Sequence, residues 1–399
     1  MGYLDGKRVL LSIGGGIAAY KCPELVRRFV AEGADVQVAM TRSAREFVSP
    51  LVLQTLSRHP VALELLDPRE DAAIGHIRIA EEASVVLVAP ATANLISRMA
   101  SGMADDIVTA SLLVARCPVV VAPSMNTNML EHPAVAANLE ALVAFGYRIA
   151  ESDRGELACG YEGAGRLPDA DALVAEVRAA LAPKDFSGRK VLVSAGPTRE
   201  ALDPVRYLTN RSSGKMGYAV AAAAWRRGAD VTLVSGPTSL PSPRGVRRVD
   251  VTSAREMFDA MLARAPESDA VVMVAAVADY RPKYPAAEKI KKQAGKAVAL
   301  ELAENDDILA AIGRLSGRRV VVGFAAETTN VVANARGKLE RKSVDLVVGN
   351  DVTRPGAGFE TETNAAVLVD AAGQSETGMV TKDRLADLIL DRVSELAKR

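Results

Sequence analysis

In the first half of this 399-residue chain, three side chains have the chemistry to move protons or hold a substrate: His76 in AIGHIRIA, Asn126 in APSMNTNML and Cys159 in ELACGYEGAG. Imidazole and thiol titrate within reach of neutral pH and suit general acid–base work, and a carboxamide offers a donor and an acceptor. Taken singly, His76 also reads as an ordinary helix histidine and Cys159 as a small buried filler. The glycines around Cys159 favour a loop, which improves the case for chemistry there. Cys22 and Cys117, in a helix and beside a strand, read as structural.

A second set of residues could hold a phosphate. GGGIAA puts Gly14, Gly16 and Ala19 in the G-x-G-x-x-A spacing, which lets backbone N–H groups approach an anion at the start of a helix or, equally, serves only a tight turn. An NAD site would end its second strand on an acidic residue to hold ribose hydroxyls, whereas DVQVAMT ends on Thr41. A hydroxyl suits a phosphate or a ring edge, so a mononucleotide such as FMN is the better candidate. The next strand runs into APATANL, where Thr92 and Asn94 again bring hydroxyl and amide, not charge.

The second half is richer in cations. LTNRSSGKMG has Gly214 and Lys215 but Thr209 and Met216 where a Walker A loop needs glycine and Ser/Thr, so it reads as a donor-rich loop opening a helix. Asp279 follows a Val-rich strand, and Lys289, Lys291 and Lys292 come soon after. By itself a lysine cluster is a solvated loop, but strand ends are where anions bind in α/β sheets. NDDIL adds Asp306, Asp307, Ile308 and Leu309, and GKLERK adds Lys338 and Lys342. Together these segments carry charge for a triphosphate and a divalent metal.

Elements able to position these groups are legible. KRVLL, an apolar-faced segment to Gly33, and ADVQVAM form a βαβ unit, and the plan restarts at KVLV (190–193) with a helix and ADVTLVSG. SVVLVAPATAN parallels AVVMVAAVADY, and CPVVVAPSMN parallels RRVVVGFAAET. Continuous Val-rich runs separated by helices indicate parallel strands covered on both faces. The fold expected is α/β: two doubly wound, Rossmann-like domains in tandem, residues 1–183 and 184–399, with a seam in APKDFSGR at 182–189. Ligands would then sit in the loops after the strands.

Lys plus Arg and Asp plus Glu each number 49, so no net field recruits nucleic acid or an anionic membrane. The longest apolar runs fall short of the roughly 18 residues that a membrane helix needs, and no signal-peptide pattern opens the chain, so a cytoplasmic protein is expected. The three cysteines lack disulfide or zinc spacing.

GGGIAAYK, PSMNTNM and ACG, at these separations, resemble the flavin-dependent cysteine decarboxylases, whose signatures read SGGIAAYK, PAMNxxMW and a loop cysteine. With the second half included, the chain is similar to the bifunctional phosphopantothenoylcysteine decarboxylase / phosphopantothenate cysteine ligases of coenzyme A synthesis. That resemblance implies FMN at Gly15, Gly16, Thr41, Thr92, Asn94 and Met125, and oxidation of the substrate's cysteine moiety to a thioaldehyde that loses its carboxylate. In it Asn126 holds that carboxylate, His76 is the base of the oxidative half, and Cys159 protonates the enethiol. For the ligase it implies CTP as co-substrate with Mg2+, Asn210 stabilising an acyl cytidylate, and Lys289 neutralising phosphate charge. Ala275, Asp279, the turn 306–309, Phe324, Lys338 and Lys342 line the CTP site, with Asp279 toward the metal. It also implies a homo-oligomer with trimeric N-terminal and dimeric C-terminal contacts, together a closed particle such as a dodecamer. The substrates are small molecules: 4'-phosphopantothenate, L-cysteine and CTP.

Three positions depart from the pattern: Gly14 replaces a serine, Leu130 an aromatic, and Asp306 a turn-fixing proline. Two other readings compete. A tandem nicotinamide dehydrogenase is disfavoured by Thr41 and because Tyr3–Lys7, the one Tyr-x-x-x-Lys pair, precedes the first strand. A flavin-binding regulatory protein with an inactive decarboxylase domain would be expected to have lost His76, Asn126 or Cys159.

Overall fold

The computed structural model describes all residues except 1, 2, 67–74, 157–159, 161, 292–298, 328, 352, 355, 359 and 399. The chain forms two compact units, Met1–Ala182 and Pro183–Arg399.

In the first unit, β1 (Arg8–Ile13), α1 (Cys22–Ala31), β2 (Asp35–Met40), α2 (Pro50–Ser57), α3 (Gly75–Glu81), β3 (Val85–Ala91), α4 (Ala93–Ala100), α5 (Ile107–Val114), β4 (Val119–Pro123), α6 (Thr127–Leu130), α7 (Pro133–Ala144) and β5 (Arg148–Ile149) alternate along the chain. A hairpin, β6 (Asp153–Glu156) with β7 (Glu162–Arg166), and α8 (Ala170–Leu181) follow. The sheet is parallel in the order β2-β1-β3-β4-β5. Its strands read as unbroken apolar runs because both faces are covered. Val9, Leu11 and Ile13 pack with Phe29 and Val177 on one side, while Leu10, Val86 and Val88 pack with Ile96 and Leu112 on the other. Beyond β2, Ala62 makes a single parallel bridge to Ala39, donating to Val38 O at 2.9 Å and accepting from Met40 N at 3.1 Å.

The second unit holds β8 (Lys190–Ala195), β9 (Arg199–Ala201), β10 (Tyr207–Thr209), α9 (Lys215–Arg226), β11 (Asp230–Ser235), β12 (Val246–Asp250), α10 (Ala254–Arg264), β13 (Ala270–Met273), β14 (Tyr280–Pro282) and β15 (Leu302–Glu304). It continues with α11 (Ile308–Gly313), β16 (Val320–Glu327), α12 (Val331–Lys342), β17 (Leu346–Asp351), β18 (Thr363–Asp370), β19 (Gly373–Thr381) and α13 (Lys382–Leu396). The main sheet runs β12-β11-β8-β13-β16-β17-β18-β19. It is parallel from β12 to β17, and β18 and β19 add an antiparallel edge that the repeated α/β pattern did not announce. Helix α9 lies so close to β8 that a Cβ on Gly217 would come within 2.5 Å of the Ala195 Cβ, which restricts the position to glycine.

One expected strand is shorter than its apolar run. AVVMVAAVA leaves the ladder after Met273 because side-chain hydroxyls capture its backbone: Ser194 Oγ accepts from Val274 N and Ala275 N at 3.1 Å, and Thr198 Oγ1 from Ala278 N at 3.0 Å. Residues 183–189 belong firmly to the second unit. Lys184 donates to Arg226 O at 2.7 Å, Asp185 pairs with Arg227 at 2.6 Å, and the buried Phe186 ring lies under the Arg227 guanidinium, 5.1 Å from its carbon.

Candidate active sites

Each sheet has one place where a first strand is flanked by neighbours whose connections run in opposite directions: between β1 and β3, and between β8 and β13. There the loops diverge and leave a crevice at the strand C-termini. A cleft opens beyond each pair.

The first cleft, about 1240 Å³, is lined by Gly15, Gly16, Thr41, Thr92, Asn94, Met125 and Asn126. Its floor needs small residues. A Cβ on Gly15 would fall 2.3 Å from the Ser43 Cβ, and one on Gly14 would fall 2.4 Å from the Pro90 carbonyl, which accepts the Gly14 N–H at 3.1 Å. On this backbone β3 comes too close to position 14 for the serine of the usual pattern. Thr41 is buried, and its hydroxyl has no hydrogen-bond partner among the described residues, although it lines the cleft. A buried hydroxyl normally finds a partner, so this orphan fits a ligand that supplies one. Thr92 caps α4, accepting from Leu95 N at 3.3 Å. Asn126 caps α6 through Oδ1, which accepts from Asn128 N at 2.9 Å.

Of the other two residues expected here, one lies elsewhere and the other is not described. His76 lies in the first turn of α3 and does not line the cleft; its buried Nδ1 has no hydrogen-bond partner among the described residues. Cys159 lies outside the described residues. The other thiols are inert by environment: burial pushes Cys22 up to about 12, with its Sγ 3.4 Å from Ala89 O, and also raises half-buried Cys117.

The second cleft, about 890 Å³, brings together Asn210, Ala275, Asp279, Asp306, Asp307, Ile308, Leu309, Phe324, Lys338 and Lys342. Asn210 Nδ2 donates to Val277 O at 2.9 Å. Lys338 donates to Phe324 O at 2.6 Å, and burial holds its ammonium below the usual lysine range, against the opposing pull of Asp307. Asp307 caps α11 through Ala310 N at 2.8 Å and pairs with Lys342. Burial alone would raise its carboxyl, but Lys342 and the cap hold it below the ordinary range. The turn lacking proline is pinned otherwise: Asn305 Nδ2 donates to Ala278 O at 2.8 Å and its N–H to Asp279 O at 2.8 Å. The extra carboxylate of Asp306 meets Arg255 at 3.4 Å.

Lys289 is exposed and does not line this cleft. Its neighbour Ile290 is held by Asp203, which the sequence reading passed over. Buried Asp203 accepts from Val205 N and Arg206 N at 2.8 Å and from Ile290 N at 3.1 Å, while Arg206 pairs with it at 2.6 Å. The Arg206 bonds foremost hold this carboxyl far below its usual range. The Asp-Pro-x-Arg run was the available sign of such a turn. Also missed were Lys21, which donates to Leu167 O at 3.0 Å, and Arg98, which pairs with Asp106 at 2.9 Å and with Asp105; all four line the first cleft. Lys382, buried and donating to Gly358 O at 3.0 Å, lines the second without any local sequence signal. No group of three acidic, histidine or cysteine side chains suited to a metal occurs among the described residues, and none of the described helices is long and apolar enough to cross a membrane.

Comparison with known proteins follows the same division. Residues 2–182 match the Flavoprotein family model, and residues 186–396 match that of the DNA/pantothenate metabolism flavoprotein C-terminal domain. The chain is 48% identical over 394 residues to the coenzyme A biosynthesis bifunctional protein CoaBC of Vibrio cholerae serotype O1, covering 98% of this chain and 99% of that one. It is likewise 48% identical to the protein of that name from Escherichia coli K12, covering 98% and 97%. A crystal structure of the C-terminal domain of a CoaBC protein aligns with 54% of this chain and 98% of its own, at 39% identity and a TM-score of 0.47. Full-length identity at this level identifies the chain as a member of the CoaBC family of bifunctional coenzyme A biosynthesis proteins.

Proposed function

We propose that the chain carries out two consecutive steps of coenzyme A biosynthesis. Residues 184–399 join 4'-phosphopantothenate to L-cysteine through an acyl cytidylate, converting CTP to CMP and pyrophosphate. Residues 1–183 then decarboxylate phosphopantothenoylcysteine to 4'-phosphopantetheine with FMN. One observation carries this reading: polar groups converge at both sheet crevices, and the first is lined by Thr41, whose buried hydroxyl has no partner among the described residues.

In the first cleft, the glycine floor and Thr41 hold FMN, which supplies a reversible acceptor for an electron pair. Asn126 is oriented by its bond from Asn128 N–H, so that Nδ2 is the end that meets the substrate carboxylate. Cys159 gives the proton in the reductive half. His76 is the base, and its place outside its own chain's cleft favours supply by a neighbouring copy in a trimer.

In the second cleft, Lys338 and Lys342 neutralise triphosphate charge, and Asn210 steadies the acyl cytidylate. Among the described residues Asp279 belongs to no group of three side chains able to hold a metal, so Mg2+ would be held jointly with the nucleotide's phosphates, as this ion commonly is. Lys289 neutralises charge on the phosphates, and dimeric contacts join C-terminal domains.

The test is to purify the full chain, identify any chromophore released by heat, and assay the steps separately with CTP and with added phosphopantothenoylcysteine. Released FMN and both activities are expected, and Lys289→Gln is expected to abolish amide formation while leaving decarboxylation. A colourless protein that does not take up FMN would overturn the first assignment. Equal loss of both activities in Lys289→Gln would overturn the division of labour.

A further inference from the structure

The turn carrying Asn126 is spliced to the β6–β7 hairpin at two points. Met125 N donates to Gly165 O at 3.0 Å, and the Thr127 hydroxyl donates to Ala164 O at 2.7 Å. Two glycines make the approach possible. A Cβ on Gly163 would stand 2.4 Å from Thr127 Oγ1, and one on Gly165, at a φ of +115°, would stand 2.1 Å from Met125 O. Asn126 therefore sits between two residues whose positions are set by β7, and its own side chain is turned by Asn128 N. In the sequence, β6 and β7 are joined by residues 157–161, which include Cys159.

We propose that Thr127 is a positioning residue for decarboxylation: its hydroxyl, clamped to Ala164 O with Gly163 leaving the room, fixes the Asn126 turn against the hairpin. This rests on the functional reading above. Thr127 touches neither substrate nor flavin in this account and acts through the placement of Asn126. A hydroxyl is needed, because a methyl group in its place removes the bond to the Ala164 carbonyl and frees the turn to shift. Geometry errors of about 1 Å can cost a reaction about a hundredfold, so a modest slip at this splice is enough to matter.

The experiment uses the full chain and compares Thr127→Val, Thr127→Ser and Gly163→Ala, with the ligase rate and bound-flavin content measured on the same samples as readouts of intact folding. Thr127→Val is expected to lower kcat for added phosphopantothenoylcysteine by roughly tenfold to a hundredfold with flavin content and ligase rate unchanged. Thr127→Ser is expected to stay within about twofold of wild type, because it keeps the donor. Gly163→Ala is expected to fall with Thr127→Val. Wild-type kcat in Thr127→Val would overturn the inference, as would a Thr127→Ser variant as impaired as Thr127→Val, since that would make bulk and not the hydroxyl the cause. A wild-type chain without decarboxylation would overturn the functional reading as well, which is a distinct result from an active wild type with an unaffected valine variant.

Discussion

The two clefts occupy the same place in the same kind of sheet but mount their polar groups differently. In the first unit the strand ends themselves bring them: Thr41 follows β2, Thr92 follows β3, and Asn126 follows β4. In the second unit the strand ends bring mainly alanines, at 275, 276, 325 and 326, beside Glu327 and Asn350, and the lysines come from helices, with Lys338 and Lys342 on α12, while Asp307 caps α11. The sheets are closer kin than their strand orders suggest. Ala62 bridges the outer edge of β2 as β12 flanks β11, so the first sheet keeps one residue of the edge strand that the second has in full. Lys21 and Arg98 line the first cleft as well, so the contrast lies at the strand ends: hydroxyls and amides in one, suited to a ring and its phosphate, and mostly alanines with helix-borne lysines in the other, suited to a triphosphate.

Three substitutions would break or sharpen this contrast. The largest effect is expected from Asn126→Asp, which turns a donor toward a carboxylate into a like charge; decarboxylation should fall by roughly 10²–10³-fold, the scale of losing one preorganised donor, with amide formation untouched. Loss of amide formation as well would mean that the two sites are not separate. Next, Lys338→Met should weaken CTP use by roughly tenfold to a hundredfold, the scale of a buried charge-assisted contact, seen as raised KM in the ligase assay with decarboxylation unchanged.

Lys338 also gives the clefts different pH behaviour. Its folded pKa is lowered from 10.5, so the proton leaves below the usual lysine range and amide formation should decline as pH rises through the folded value. Stability should move the other way: between the folded and unfolded values the unfolded chain binds more protons, so raising pH there favours the folded state. Lys338→Met should flatten that limb of the ligase profile alone.

The smallest effect is expected from Thr41→Val. Flavin affinity should drop by roughly threefold to tenfold, the worth of one ordinary hydrogen bond, when followed by fluorescence titration. The flavin-free protein should be no less stable in a thermal melt, because the substitution removes a buried hydroxyl that has no partner. An unchanged flavin affinity would place the ligand elsewhere in the cleft.

Much of this contrast was legible in the sequence, for a physical reason. Groups mounted on strand ends are marked by the Val-rich runs they terminate, which is how Thr41, Thr92, Asn94 and Asn126 announced themselves. The antiparallel edge β18–β19 was not, because TNAAVLVD and GQSETGMVT lack the helical spacer that signals a parallel crossover. Lys382 was silent for another reason, and Asp203 showed only its local Asp-Pro-x-Arg turn: their partners at Gly358 and Ile290 are backbone groups distant along the chain, which have no side-chain signature. The end of β13 at Met273 depended on hydroxyls of Ser194 and Thr198, some 80 positions away. Local pattern marks what a segment is able to form, and distant donors decide where it stops.

The anchoring of residues 184–186 bears on how the two activities could ever be parted. A cut made before Pro183 would leave Lys184, Asp185 and Phe186 with the core they already grip. A cut a few residues later would strip a fully buried aromatic ring from beneath Arg227 and remove one of that arginine's carboxylate partners, so the ligase half would begin life with a cavity and an under-compensated buried cation. Split versions of this enzyme, whether made by evolution or by a protease, should therefore assign the short joining segment to the downstream partner.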